Sequence, residues 1–130
     1  MKHLLVIFSI FLLSSPLIGE SKKSETLYVW KTASGIQWRE IGDKDSHAKY
    51  KGDVMIGKPH GVGTLVYPDG NLYVGEFMNG LFHGQGIYTI ASDGYSYIGD
   101  YRIGSLWNGT MNKKDGTIDF KVVNWKKIKQ

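Results

Sequence analysis

The chain has 130 residues, no cysteine and a formal net charge of +4. A chain of this length allows one small domain, and the lack of cysteine excludes disulfides, a thiolate nucleophile, a cysteine-based zinc site and lipid attachment at a cysteine. Glycine supplies 17 residues, about twice its average share. Because glycine costs backbone entropy on folding, such a chain needs large apolar side chains beside its glycines.

The first nineteen residues have the layout of a secretory signal peptide. A short basic start is followed by the apolar run 4–13 and by a small residue at Gly19. The apolar run is shorter than the ~20 residues that a membrane-spanning helix needs. We therefore expect a signal helix over 1–19, cleavage at Gly19 and an exported protein, either periplasmic or secreted. The alternative is an uncleaved membrane anchor.

Two segments separate this start from the rest of the chain. Residues 20–26, ESKKSET, are polar and predict a disordered leader. Residues 27–49 give two short apolar-polar runs around the turn sequence ASG. They predict a capping hairpin that covers the first edge of a sheet, with Trp30 and Trp38 packing onto it.

An internal repeat occupies residues 50–118. Its three units, 50–72, 73–96 and 97–118, each begin with tyrosine and carry glycines at corresponding places. The glycines with a predicted structural role in the repeat are Gly52, Gly57, Gly61, Gly63, Gly75, Gly80, Gly84, Gly86, Gly99 and Gly104.

Each unit has the pattern of a β-hairpin. In YVGEF, alternation places Tyr73, Gly75 and Phe77 on one face of a strand, and Asn79-Gly80 is a strong turn signal. The predicted fold is all-β, a single-layer antiparallel meander in which aromatic rings lie across glycines of neighbouring strands. Residues 119–130 predict a last strand, ending at Trp125, and a basic tail.

The three units resemble the MORN repeat family, whose pattern is approximately Y-x-G-x-x-x-x-G-x-x-H-G-x-G. His60-Gly61 with Gly63 and His83-Gly84 with Gly86 match this pattern. In the third unit Trp107-Asn108-Gly109 stands at the His-Gly pair and the second glycine is lost, which is typical of a degenerate final repeat. The resemblance implies a scaffolding, protein-binding or membrane-associated module.

The residue types that carry chemistry do not gather in this arrangement. His60 and His83 would lie two strands apart, about 10 Å, whereas zinc ligands sit ~2.1 Å from the metal. Asp53, Glu76 and Asp100 recur at one register and predict a solvated ladder of carboxylates. We therefore predict no catalytic, metal-binding or cofactor-binding residue, and a histidine hydrogen-bonded or packed at a turn.

The predicted function is a non-catalytic, exported scaffold or protein-binding module of the cell envelope. Its partner is a protein or an envelope component, and no nucleic acid is expected. The residues predicted to bind a partner form an aromatic stripe of Tyr67, Tyr73, Phe77, Tyr88, Tyr97 and Tyr101. The competing interpretation is that this stripe is the core. A second candidate function is weak association with an anionic surface, lipid or polysaccharide, through the basic C-terminus.

Overall fold

The computed structural model describes residues 23–129, which form ten β-strands in one antiparallel sheet. The strands, numbered in chain order, are β1 (Lys23–Thr32), β2 (Gly35–Arg39), β3 (Lys49–Met55), β4 (Lys58–Val66), β5 (Leu72–Met78), β6 (Leu81–Thr89), β7 (Ser96–Arg102), β8 (Ser105–Asn112), β9 (Ile118–Val123) and β10 (Lys126–Lys129). The predicted all-β meander of hairpins is confirmed. The predicted signal helix, the cleavage site at Gly19 and residues 20–22 lie outside the described residues.

The strand order is β10-β9-β8-β7-β6-β5-β4-β3-β1-β2, so β1 lies between β2 and β3. The hairpin β1–β2 covers the first edge of the repeats, as expected for a capping hairpin. The prediction of a disordered leader is wrong for residues 23–26, which pair with Lys51 to Val54 on β3. These residues are ordered because β3 would otherwise present an unpaired row of backbone groups.

A row of glycines crosses the sheet from β3 to β8, each glycine directly opposite the next. The row consists of Gly52, Gly63, Gly75, Gly86, Gly99 and Gly109. Beside it runs a row of large apolar residues on the same face, Tyr50, Leu65, Tyr73, Tyr88, Tyr97, Met111 and Phe120. We call this side of the sheet the aromatic face.

The glycine row makes room for tyrosine rings. A Cβ added at Gly63 would overlap the ring of Tyr50, and a Cβ added at Gly86 would overlap the ring of Tyr73. The Tyr73 hydroxyl donates a hydrogen bond to the carbonyl of Glu76 at 2.8 Å. The prediction that aromatic rings lie across glycines on the neighbouring strand is thereby confirmed.

The His-Gly pair of the repeat forms a β-bulge. In the pairing of β3 with β4, residues 60–62 lie opposite Asp53 alone, and in the pairing of β5 with β6, residues 83–85 lie opposite Glu76. Each carboxylate accepts a backbone N–H of its bulge, from Val62 at 3.1 Å and from Gln85 at 2.7 Å. The prediction of a solvated carboxylate ladder is therefore wrong for these two residues, because the bulge leaves backbone donors that need an acceptor.

The third repeat differs from the alignment predicted from the sequence. Gly109 lies opposite Gly99, which is the pairing that Gly86 makes with Gly75. The second glycine is therefore retained, and the interpretation that it is lost is wrong. One residue is missing between Gly104 and Gly109, so the bulge is reduced to the single residue Trp107 between the pairs of Asp100 and Tyr101.

The sheet curls around its aromatic face. The ring centroids of Tyr50 and Phe77, two strands apart, are separated by 4.9 Å, and the Trp38 indole on β2 reaches Gly80 in the turn after β5. In a flat sheet β2 and β5 would lie about 19 Å apart. The curl encloses a core of Leu27, Ala48, Tyr50, Val54, Leu65, Tyr73, Phe77 and Tyr101.

The C-terminal segment folds as a hairpin. Residues 118–123 form β9, Asn124 and Trp125 form a turn, and Lys126–Lys129 form β10 at the edge of the sheet. The prediction of one strand ending at Trp125, followed by a tail, is wrong because positive φ values at Asn124 and Trp125 reverse the chain there. The described part of the chain holds no helix that could span a bilayer.

Candidate functional site: an aromatic groove

An open groove of about 550 Å³ lies on the aromatic face, between the capping hairpin and the first two repeats. The capping hairpin contributes Val29, Lys31, Ile36 and Trp38, and the repeats contribute Lys58, Leu65, Tyr67, Asn79, Gly80, Leu81 and Phe82, with Gly104 beyond them. We call this the aromatic groove. Its lining is mainly apolar, with two exposed lysines, Lys31 and Lys58.

Trp38 forms one wall of the aromatic groove. Its ring meets Tyr50 edge-on, with centroids 6.1 Å apart and an interplanar angle of 74°. A Cβ on Gly80 would lie 2.6 Å from the indole nitrogen. A side chain at position 80 would therefore displace Trp38. The geometry of the turn and the wall of the groove thus depend on the same glycine, which also has a positive φ of 81°.

Tyr67 also lines the aromatic groove, and contacts with neighbouring residues hold it in place. Its ring lies 5.9 Å from that of Tyr88, and its backbone N–H donates to the carbonyl of Asn71. The Asn71 side chain in turn donates to the Tyr88 hydroxyl at 3.1 Å and accepts the N–H of Ala91 at 2.9 Å. This network holds both tyrosines at one end of the repeats.

The Tyr67 hydroxyl in the aromatic groove is partly buried, which affects its pKa. Burial, with smaller contributions from Tyr88 and Asp69, raises the pKa of Tyr67 to about 12. The Tyr67 hydroxyl is therefore protonated at neutral pH and can donate a hydrogen bond. Phe82 packs flat on Tyr73, with centroids 3.7 Å apart, so the floor of the groove is continuous with the core.

The six aromatic residues predicted to bind a partner differ in how far the structure exposes them. Tyr73, Phe77 and Tyr101 are buried in the core, so the prediction of partner binding is wrong for these three residues. They are inaccessible because the curl of the sheet closes over them. Tyr67 lines the groove. Tyr88 packs beside it, and Tyr97 lies further along the sheet, near Phe120.

Several residues of the groove were not singled out by the sequence pattern. Phe82, Leu81 and Val29 lie on strands whose sequence pattern predicts apolar positions, but the pattern does not show which residues of other strands they contact. Only the curl brings the capping hairpin to the turn at Gly80. The two-residue spacing that places Leu27 and Val29 on one face of β1, and Ile36 and Trp38 on one face of β2, was the one signal in the sequence that this hairpin carries an apolar face.

Histidines and carboxylates serve the turns and bulges. Within residues 23–129 no group of three His, Asp or Glu side chains could hold a metal ion. The His60 ring accepts the backbone N–H of Asn79 at 3.3 Å, in the turn after β5. The prediction of a histidine hydrogen-bonded at a turn is confirmed for His60.

Comparison with protein families matches two segments of the chain, 50–72 and 73–95, to the family described as MORN repeat. These are the first two units of the internal repeat. Residues 50–95 therefore contain two MORN repeats, which form the hairpins β3–β4 and β5–β6. MORN repeats are in general binding modules for membranes or proteins.

Curated proteins also resemble this chain. Alsin of Mus musculus is 41% identical over 92 residues, which is 68% of this chain and 6% of Alsin. The ALS2 C-terminal-like protein of Bos taurus is 41% identical over 64 residues, covering 49% of this chain and 7% of that protein. The inactive protein tyrosine kinase pTKL of Plasmodium berghei is 48% identical over 40 residues, covering 30% of this chain and 3% of that protein. The chain thus spans less than a tenth of these relatives.

Proposed function

We propose that the chain is a non-catalytic MORN-repeat scaffold of the cell envelope, exported through its N-terminal signal, that binds a protein partner in the aromatic groove. The observation that carries the proposal is the meeting of half-buried aromatic side chains from separate parts of the chain, Trp38, Tyr67 and Phe82, in one open groove. Aromatic residues in open apolar depressions are the usual anchors of protein interfaces.

The chemistry of the groove favours an apolar or aromatic segment of a partner. Leu81 and Ile36 are 46% and 63% exposed, so the groove offers apolar area that water now covers. Lys31 and Lys58 add positive charge beside it, which favours a partner segment that also carries a carboxylate. The protonated Tyr67 hydroxyl supplies a hydrogen-bond donor.

Comparison of two tyrosine variants tests the groove. Tyr67→Ala removes a side chain from the lining, while Tyr95→Ala removes a partly buried tyrosine of the β6–β7 turn outside it. We expect Tyr67→Ala to weaken binding of a partner isolated from envelope extract about tenfold and Tyr95→Ala to leave it unchanged. Equal partner recovery by both folded variants would contradict groove binding.

The proposed location has its own test. The basic start, the apolar run 4–13 and the small residue Gly19 support export. Fractionation of cells that produce the full chain with a C-terminal tag should recover it in the periplasm or the medium, shortened by the signal segment. Recovery of the unshortened chain in the cytoplasm would contradict an envelope role while leaving the groove untouched.

A second candidate function is association with an anionic lipid or polysaccharide through the C-terminus. The specific observation is that all four residues of β10, Lys126 to Lys129, are exposed at the edge of the sheet. Such an electrostatic interaction weakens as salt screens the charges. Removal of residues 126–130 should lower co-sedimentation with anionic vesicles or wall fragments, and unchanged co-sedimentation would exclude the tail.

A further inference from the structure

The turns at the two ends of the strands differ in composition. At one end the first set of turns is 55–58, 78–81, 102–105 and 123–126, with the sequences MIGK, MNGL, RIGS and VNWK. At the other end the second set of turns, 67–71, 90–95 and 113–117, contains Asp69, Asp93 and Asp115. The first set of turns is therefore mainly apolar and free of carboxylates, and the second set is polar, with one aspartate in each turn.

Exposed apolar side chains concentrate in the first set of turns. Of the large apolar residues that are exposed in the described chain, six belong to these turns: Ile56, Met78, Leu81, Ile103, Val123 and Trp125. We call these six residues the apolar rim. Ile56 is 94% exposed and Ile103 is 73% exposed, so packing within the protein does not explain their apolar side chains.

The backbone at two of these positions makes the choice of isoleucine unfavourable. Ile56 and Ile103 have φ values of 51° and 50°, in the left-handed region that β-branched residues rarely adopt. Asn79 holds the corresponding position of the second repeat at φ 51°, which is the residue type that such a turn prefers. Isoleucine at both strained and exposed positions is a local cost that folding does not require.

Backbone hydrogen bonds join the turns of the rim into one surface. The Gly80 N–H donates to Pro59, the Gly104 N–H to Phe82, and the Trp125 N–H to Trp107, at 2.9 to 3.0 Å. Each turn is thereby tied to the second strand of the preceding hairpin, close to the turn of that hairpin. The side chain of Leu81 reaches within 3.8 Å of a Cβ position at Gly104, so adjacent turns touch.

Positive charges accompany the apolar side chains. Lys58 follows the turn of Ile56, Arg102 precedes Ile103, and Lys126 follows Trp125, all exposed. The nearest carboxylates along the strands, Asp53, Glu76 and Asp100, sit at least two residues back from the turns, and the first two are engaged by bulge N–H groups. The rim therefore combines apolar tips with a positive border.

We propose that the apolar rim is a membrane-contact surface, which inserts Ile56, Ile103 and Trp125 into the headgroup region of an anionic lipid bilayer. Apolar side chains at the acyl boundary gain burial, while lysine and arginine beside them meet anionic headgroups. Tryptophan is favoured at this depth. The proposal rests on the second candidate function, for which it names lipid as the ligand and adds the turns to the basic C-terminus.

Vesicle co-sedimentation of the purified chain tests the proposal. The probes are vesicles of phosphatidylcholine alone and of phosphatidylcholine mixed with phosphatidylglycerol. We expect binding to the mixed vesicles and about tenfold weaker partitioning for the double variant Ile56→Asn, Ile103→Asn. Asparagine suits the backbone of both turns, as Asn79 shows, so the variant keeps its fold, which circular dichroism checks.

Two further variants distinguish the apolar rim from the basic tail and from exposed apolar residues elsewhere on the surface. Ile41→Asn replaces an isoleucine that is 80% exposed but lies away from the rim, and we expect it to bind like the wild type. Removal of residues 127–130 leaves Lys126 of the rim in place and tests the rest of the basic C-terminus alone. If that truncation abolishes binding while the double variant binds like the wild type, the rim proposal is overturned and the basic C-terminus accounts for association. Absence of wild-type binding to the mixed vesicles, or equal loss in Ile41→Asn, overturns it as well.

Discussion

The ring of Tyr50 lies across Gly63 on the adjoining strand, in the space that a side chain at position 63 would need. Tyr73 and Gly86 repeat this relationship one unit later. The Tyr50 hydroxyl donates to the carbonyl of Asp53 at 2.6 Å, beside the bulge. A single tyrosine thus covers a glycine and closes the bulge, which explains why the two residue types recur together.

Replacement of this glycine should destabilise the sheet. Gly63→Ala forces the Tyr50 ring away from β4, and we expect the free energy of unfolding to fall by about 2 to 3 kcal/mol. Gly57→Ala is the matched control, because no atom lies within 4 Å of its added Cβ and only its φ of 72° disfavours alanine, at a cost of ~1 kcal/mol. Urea denaturation measures both. Equal losses would mean that the tyrosine does not need the space.

Removal of the Tyr73 hydroxyl should show how much its hydrogen bond at the bulge contributes to the free energy of unfolding. Tyr73→Phe keeps the ring but leaves the Glu76 carbonyl without the bond that spans 2.8 Å. We expect a loss of about 1 to 2 kcal/mol in the free energy of unfolding. Tyr95→Phe, in the turn between β6 and β7, is expected to change it by less than about 0.5 kcal/mol. A comparison of the two midpoints in urea decides whether the buried hydroxyl contributes.

The strained turns predict a gain in stability. Ile56→Asn and Ile103→Asn each place a residue that tolerates positive φ where a β-branched one now stands. We expect the double variant to be more stable than the wild type by ~1 kcal/mol. Thermal unfolding followed by circular dichroism measures the change. A lower melting temperature would show that the isoleucines contribute to folding, contrary to their proposed role in the apolar rim.

Alkaline pH should destabilise the protein through its buried tyrosines. The pKa of Tyr67 is about 12 in the folded chain against an ordinary value of 10.0, so folding favours its protonated form. Its contribution to stability is fully present below pH 10 and falls as the pH rises from 10 toward 12. Burial also raises the pKa of Tyr50, Tyr73 and Tyr101.

Ultraviolet titration checks this pH dependence. Phenolate absorbance of the core tyrosines Tyr50, Tyr73 and Tyr101 should appear late and together with the loss of β-structure, since ionisation of these rings requires unfolding. Tyr67→Phe should unfold at a slightly higher pH than the wild type, because it removes one group whose ionisation favours the unfolded chain. Ionisation of all eight tyrosines near pH 10 with the sheet intact would contradict the burial of these rings.

The repetition of tyrosine and glycine was enough to predict the hairpins and the packing of rings on glycines. Period-2 alternation identified the aromatic face, and Asn79-Gly80 identified a turn. These features are local or involve adjacent strands, so the sequence determines them directly. The same reasoning placed the capping hairpin at the first edge, because an open edge needs a cover.

Curvature and register could not be obtained in the same way. The curl buries Tyr73, Phe77 and Tyr101 and brings Trp38 to Gly80, a relationship between strands that are far apart in a flat sheet. The bulge at His60-Gly61 changes which residues face each other, so the role of Asp53 depended on a backbone donor that the sequence pattern did not reveal. In the third repeat a one-residue deletion shifted Gly109 into the glycine row.

The contact of Trp38 with the second repeat sets a minimum size for this architecture. Between that point and the C-terminal hairpin, each turn of the rim bonds to the second strand of the preceding hairpin, as Gly104 does to Phe82. Duplication or loss of a whole unit further along would recreate the same bonds at a new junction and leave both ends unchanged. The sheet can therefore lengthen during evolution by insertion of whole repeats. A version with only one repeat would leave Trp38 without the turn at Gly80 that it contacts.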